Sequence, residues 1–170
     1  MLRFISGDHC TEKEYKLDLD TPLGILEIIG TVEAVSSILF VDREEKEHLI
    51  QDDTPDVLID CHEQLVEYFN GSRRRFSFSI HVKGTDFQKR VWKGLLDLPY
   101  GETGSYKDLA VSIGNEKAIR AVGSANGKNK LSIVIPCHRI IGSNGTMTGY
   151  AGGVWRKEWL LRHERNHENS

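Results

Sequence analysis

The sequence predicts an α/β (α+β) chain in two parts. Residues 1–83 form a small N-terminal antiparallel sheet plus a helix, and residues 84–165 a C-terminal winged-helix-like domain with a helix-turn-helix; a tail covers 166–170. Three observations lead there. Apolar and polar residues alternate in the first half, as in half-buried strands, whereas apolar positions after Gly84 recur at helical spacing. Charge divides at the same place: residues 1–83 carry 9 Lys+Arg against 17 Asp+Glu, and residues 84–165 carry 13 against 7. The length, 170 residues, suffices for one domain or two small ones with a real core.

In the first half, Lys16-Leu-Asp-Leu-Asp20 alternates and reads as a strand. Asp20-Thr-Pro-Leu-Gly24 is a turn, because Pro and Gly set the dihedrals a reversal needs. Ile25-Leu-Glu-Ile-Ile29 and Val35-Ser-Ser-Ile-Leu-Phe-Val41 complete an antiparallel meander, and the acidic stretch 42–56 is a loop. Val57, Leu58, Cys61, Leu65, Tyr68 and Phe69 share one helical face, with Asn70-Gly71 as its stop. Arg73-Arg-Arg75 reads as a solvated turn or a phosphate contact, and Phe76-Ser-Phe-Ser-Ile80 as a last strand or an extended linker.

The second half opens with a helix from Asp86 to Leu98, on which Phe87, Val91, Leu95 and Leu98 are helically spaced. Ser105 caps a short helix, Tyr106–Ser112; Gly114-Asn115 turns the chain into a further helix, Glu116–Ala125. Helix, Gly-containing turn, helix is the pattern whose second helix enters a nucleic-acid groove. That second helix carries Ala118, Ala121, Gly123, Ser124 and Ala125 and almost no bulk. A minor groove about 6 Å wide imposes such a demand, and so does a tight helix–helix contact; both readings stand. Gly142-Ser-Asn-Gly145 is a hairpin-type turn and Gly149-Tyr-Ala-Gly-Gly153 an open-backbone stretch. Trp155–Arg165 is the final helix, with Trp155, Trp159 and Leu160 facing the core.

Between these lies Ile133-Val134-Ile135-Pro136-Cys137-His138-Arg139. The apolar triplet reads as a strand buried on both faces that ends at Pro136, which lacks a backbone donor. A thiol fixed there beside an imidazole and a permanent cation suits a lowered pKa and a nucleophilic role. An isolated Cys-His pair is more commonly a buried structural cysteine; the surroundings of this one overturn that reading. Arg120-Ala-Val-Gly-Ser-Ala-Asn-Gly-Lys-Asn129 with Ile135-Pro-Cys-His-Arg139 resembles the signature of the O6-alkylguanine-DNA alkyltransferases, the methylated-DNA–protein-cysteine S-methyltransferase family. The resemblance extends to Tyr100-Gly-Glu-Thr-Gly-Ser-Tyr106-Lys-Asp-Leu-Ala110, Gly149-Tyr150-Ala-Gly-Gly153, Lys157-Glu-Trp-Leu-Leu161 and Glu164. It covers residues 84–165 well and the first half loosely, chiefly in Thr21-Pro22-Leu23-Gly24.

The resemblance implies a DNA repair protein that moves the alkyl group of O6-alkylguanine in duplex DNA onto Cys137, once per molecule, with O4-alkylthymine an open second substrate. His138 is then the base, reached through a water, and Glu164 orients it. Tyr106 rotates the nucleotide out and protonates the leaving guanine, and Arg120 fills the vacated space. Ala121 and Gly123 let the helix approach the groove. Asn129 ties that helix to the cysteine segment, and Tyr150 lines the base pocket with Ser143 nearby. Two positions depart from the family pattern, Lys130 after Asn129 and Asp86 after Thr85, where proline is usual. Ionising an ordinary thiol at pH 7 gains at most roughly 30-fold, ~2 kcal/mol, and in-line positioning several times that, so positioning is the larger effect.

Two rivals remain at this point: an alkyltransferase-like damage-binding protein without transfer, against which Cys137 itself argues, and a Cys-His hydrolase, which needs an oxyanion site and a base on another segment. His9, Cys10, Cys61, His62 and His81 lack paired metal-ligand spacing, so no metal and no cofactor are expected. Cys10, Cys61 and Cys137 are too few and too far apart for a disulfide framework. No apolar run is long enough to span a membrane, and no signal-peptide pattern is visible. The expected setting is the cytoplasm, as a monomer whose partner is double-stranded DNA.

Overall fold

The structure, a computed structural model, describes residues 1–7 and 12–169. It divides into two compact units, Met1–Val82 and Lys83–Ser170. The first unit begins with β1 (Arg3–Phe4), β2 (Tyr15–Thr21), β3 (Gly24–Gly30) and β4 (Val35–Val41), continues through α1 (Asp56–Phe69) and ends with β5 (Ser79–Ile80). β2, β3 and β4 pair antiparallel as the alternation predicts, with Leu17 opposite Ile28 and Ile28 opposite Ile38. The sheet is mixed rather than antiparallel throughout, because β5 joins β4 in parallel and β1 joins β5 in parallel, giving the order β1-β5-β4-β3-β2.

α1 lies across β2, β3 and β4 and buries Leu58, Cys61, Gln64, Leu65 and Tyr68, leaving Val57 and Phe69 half-buried. Gly30 is required beneath it: a Cβ there would meet the Ala34 carbonyl and the Leu58 side chain. Helix α1 ends where Gly71 adopts φ 87°. The Phe76–Ile80 stretch is paired only at its last two residues. Before them, Gln64 pins Ser77 by donating to its carbonyl at 3.1 Å and accepting its N–H at 2.8 Å.

The second unit holds α2 (Asp86–Leu95), β6 (Gly104–Ser105), α3 (Tyr106–Ser112), α4 (Ile119–Gly127), a 3₁₀ turn at Cys137–Arg139, β7 (Ile140–Ile141) and α5 (Val154–His167). α2 and α3 open with capping boxes, Thr85 with Gln88 and Ser105 with Asp108, which satisfy otherwise orphaned N–H groups reciprocally. α2 stops at Leu95, before the predicted Leu98. α4 starts at Ile119, because a tight turn in which the Ala118 N–H reaches the Asn115 carbonyl uses up residues 115–118. Trp92 ties α2 to α4 through its indole N–H on the Ala125 carbonyl, 2.9 Å.

Trp155 does not face the core. It is 56% exposed, with Arg156 stacked over its ring at 4.5 Å. The buried stripe of α5 is Lys157, Leu160, Leu161 and Glu164, an i, i+3, i+4, i+7 set that includes two charges. No helix among the described residues is long and apolar enough to cross a membrane.

Candidate active site

Residues 131–140 are buried throughout, but the Ile133–Ile135 run is not a strand. Ile133 has φ 71°, a sterically strained value for a β-branched residue, and the Val134 N–H closes onto the Ser132 carbonyl at 2.8 Å around it. A second three-residue turn of the opposite hand follows at Pro136 (φ −81°, ψ 62°), closed by the Cys137 N–H on the Ile135 carbonyl at 2.8 Å. Between them the Ile135 N–H reaches the Leu131 carbonyl at 2.9 Å. An apolar run this short has no periodicity to separate a buried strand from a buried coil.

Asn129 holds this coil together. Its Oδ1 accepts the Leu131 N–H at 2.9 Å, while its Nδ2 donates to the Ile135 carbonyl at 2.9 Å and to Cys137 Sγ at 3.2 Å. Asn126, on the buried face of α4, donates to the Cys137 carbonyl at 3.4 Å. Cys137 is therefore held at two points, its sulfur by Asn129 just past the end of α4 and its backbone carbonyl by Asn126 within that helix.

Cys137 itself is 6% exposed. Burial pushes its thiol up from the ordinary value, more than the Asn129 amide and the Lys157 ammonium pull it down. The expected lowering does not occur. Its supposed cause is elsewhere: Arg139 turns to Glu164, with Nη2 to Oε1 at 2.5 Å and Nε to Oε1 at 2.9 Å, while Nη1 donates to the Leu98 carbonyl at 2.7 Å.

His138 Nε2 lies 3.1 and 3.2 Å from the two Glu164 oxygens, and neither residue is exposed. Burial would raise the Glu164 carboxyl, but His138 and Arg139 together hold it down at about 2. Burial is also the main reason His138 is shifted below its ordinary value, helped by the Arg139 and Lys157 charges and opposed by Glu164. Arg139 is the permanent counter-ion of the carboxylate, so the imidazole stays neutral. With Nε2–H donating to Glu164, Nδ1 is the acceptor nitrogen, and it has no hydrogen-bond partner among the described residues.

Residues 86–166 match the family model described as 6-O-methylguanine DNA methyltransferase, DNA binding domain, and residues 15–82 match its ribonuclease-like domain. The constitutive methylated-DNA–protein-cysteine methyltransferase of Bacillus subtilis is 43% identical over 159 residues, covering 89% of this chain and 95% of the relative. The Methanosarcina barkeri methylated-DNA–protein-cysteine methyltransferase is 41% identical over 150 residues, 87% of this chain and 95% of that one. A crystal structure of Mycobacterium tuberculosis OGT in complex with DNA superposes with a TM-score of 0.80 at 40% identity, covering 90% and 94%. The chain belongs to the 6-O-methylguanine DNA methyltransferase family.

Within this methyltransferase the remaining expected residues divide into those the fold gathers and those it leaves apart. β6 and β7 pair in parallel, Gly104 beside Ile140 and Ser105 beside Ile141, so the start of α3 with Tyr106 runs alongside the end of the Cys137 turn. The Tyr106 ring lies against Gly123 of α4, where a Cβ would sit 3.6 Å from it. Arg120, Ala121, Ser124 and Gly127 line the exposed face of α4, and Val122, Ala125 and Asn126 its buried face. Small residues thus serve both readings: Ala125 and Gly123 the internal contact, Ala121, Ser124 and Gly127 an open surface. Tyr150 has its phenol buried, which pushes that group up, with Cys137 and Ser132 close by. Ser143 is exposed on its turn, outside the Cys137 hydrogen-bond network. That turn forms, but no strand follows it to make a hairpin.

Three participants escaped the sequence reading. Lys157 is wholly buried, its ammonium on the Thr148 carbonyl at 2.8 Å; burial lowers it and the nearby Cys137 opposes that. Its signal was there to be read: a lysine on the helical stripe of Leu160, Leu161 and Glu164. Asn126 and the Arg139–Glu164 clamp had no sequence signal of their own.

On metals, His9 and Cys10 lie outside the described residues. Cys61 packs in the α1 stripe, and His81 Nε2 bonds the Gly7 carbonyl at 3.0 Å. Asp18, Glu27 and His48 bring ligand atoms within 4.8 Å of one another. Arg43 already supplies the positive charge among them, 2.7 Å from Asp18 and 2.8 Å from Glu27.

Proposed function

We infer that this DNA-repair methyltransferase uses Cys137 as the acceptor in a direct, irreversible transfer of the alkyl group from O6-alkylguanine in duplex DNA. The single observation that carries the reading is a thiol held by Asn129 at 3.2 Å in the residue before a histidine whose imidazole is paired with a buried, ionised carboxylate. The thiol proton passes to His138 Nδ1, by way of water, as the sulfur pair forms the C–S bond. The C–O6 bond breaks with its electrons going to O6, and the guanine ring takes a proton from the Tyr106 phenol. Glu164 holds the imidazole in the tautomer that leaves Nδ1 free, and Arg139 keeps Glu164 charged. The product is a thioether, a poor leaving group, so each molecule reacts once.

O6 lies inside the duplex, and the nucleotide has to leave the stack to meet the sulfur. Arg120, exposed on the slim outer face of α4, fills the space left behind. Ala121 and Gly123 keep that helix thin, and Tyr150 lines the base pocket. Residues 84–165 carry this chemistry and the DNA contact, and the protein works as a monomer in the reducing cytoplasm, where its thiol stays free.

Incubation with an O6-methylguanine duplex, followed by mass spectrometry of the Cys137 peptide, is the test. One methyl on that peptide, with loss from the DNA in equal amount, is the expected result. Cys137→Ala should bind the same duplex and transfer nothing. An unmodified wild-type protein bound tightly to the duplex would instead mean a damage-binding protein, and repeated turnover a hydrolase.

A further inference from the structure

The geometry points to Thr148 as a positioning residue for alkyl transfer, acting through the Tyr106 phenol. It rests on the reading of Tyr106 given above. The Tyr106 hydroxyl lies 3.3 Å from Thr148 Oγ1, and the ring beneath it is backed by Gly123. The phenol is therefore located on two sides, by a helix and by the loop that precedes the glycines 149, 152 and 153.

The loop is anchored independently of that bond. The backbone carbonyl of Thr148 accepts the buried Lys157 ammonium at 2.8 Å, and Lys157 lies on the α5 stripe with Glu164. The hydroxyl of Thr148 thus stands at a fixed point relative to the His138–Glu164 pair. A bond of 3.3 Å is long for two oxygens, and such contacts tighten when a site closes around its substrate.

Donor direction gives the contact its role. When Thr148 donates, the phenol oxygen accepts, and the phenol's own proton is turned toward the extruded base. As that proton moves to guanine, negative charge grows on the phenol oxygen, where the threonine hydroxyl already donates. Without the hydroxyl, the phenol can rotate about its C–O bond and its ring loses one of two lateral stops.

Thr148→Val preserves shape and the backbone carbonyl that holds Lys157, so only the hydroxyl is lost. Single-turnover transfer from an O6-methylguanine duplex should slow by between about threefold and tenfold, the worth of one neutral hydrogen bond. Thr148→Ser should restore it. In a Tyr106→Phe background, which has no hydroxyl to receive the bond, Thr148→Val should change nothing further. If Tyr106→Phe slows transfer while Thr148→Val does not, the inference is wrong and the reading of Tyr106 survives. Equal slowing by Thr148→Val in both backgrounds also overturns it, since the threonine would then act by another route. If Tyr106→Phe is itself without effect, the role of Tyr106 fails and this inference with it.

Discussion

At the scale of single residues, the site does not depend on a pre-ionised sulfur. Burial raises the Cys137 thiol above 9.0 and lowers His138 below 6.5, so between these values the resting pair is thiol and neutral imidazole. A neutral base loses its function only when pH falls through its lowered pKa, and thiolate accumulates only above the raised one. The single-turnover transfer rate is therefore expected to be flat from pH 6.5 to 9.0, to fall on the acid side and to rise on the alkaline side. A rate step inside that window that tracks thiol ionisation would contradict it. The sequence showed which residues to watch, Cys137, His138 and Glu164, but not their electrostatics. Arg139 adjoins the thiol in the chain yet spends its charge on Glu164 at 2.5 Å, and only the 3₁₀ turn decides that. A helical carboxylate such as Glu164 looks like a surface group until its helix is known to bury a charged stripe.

At the scale of elements, helices read well and the coil at the centre did not. Capping residues and spacing located α3 to the residue, because Ser105 and Asp108 close a box with a fixed interval. The Ile133–Ile135 run is equally apolar on either reading, and a residue with φ 71° has no mark in sequence when it is not glycine. The strain at Ile133 persists because Asn129 over-determines the coil. Asn129→Ala would strip the Leu131 N–H and the Ile135 carbonyl of partners inside a buried site. It should cost roughly 2–4 kcal/mol of unfolding free energy, measured by denaturant titration. Lys130, which stands where the family usually has proline, is exposed beside a coil that the Asn129 side chain fixes through hydrogen bonds. Trp155 failed for a related reason. Hydrophobicity assigned it to the core, while the stripe that faces inward belongs to Lys157 and Glu164, whose burial serves the site. For α4, Arg120→Ala should slow repair of duplex substrate at least tenfold more than reaction with free O6-benzylguanine. Only the duplex requires an extruded nucleotide, so equal losses on both substrates would remove Arg120 from that role.

At the scale of the whole molecule, the net charge of −3 conceals a basic second half. Residues 84–165 carry an excess of six positive charges and the matches to the DNA-binding family model, whereas residues 1–83 carry an excess of eight negative ones. A uniform charge of −3 would repel a polyanion, so the division is what allows contact. Each phosphate contact made by Lys or Arg releases condensed counterion and adds about −0.9 to the slope of log affinity against log salt on B-DNA. With six as the net excess on the binding half, the slope for undamaged duplex should lie between about −2 and −6. Neutralising an exposed lysine of that half, Lys117 or Lys128 next to α4, should make it shallower by about one if that side chain meets a phosphate. Fluorescence anisotropy with labelled duplex between about 50 and 200 mM salt reads both values. A slope near zero would mean that binding is not driven by phosphate contacts, and the charge division would then need another explanation. Because the affinity term is electrostatic and the transfer step is not, the rate at saturating duplex should stay constant over the same salt range. A rate that stays constant while affinity falls would separate the surface that finds DNA from the buried residues proposed to react with it.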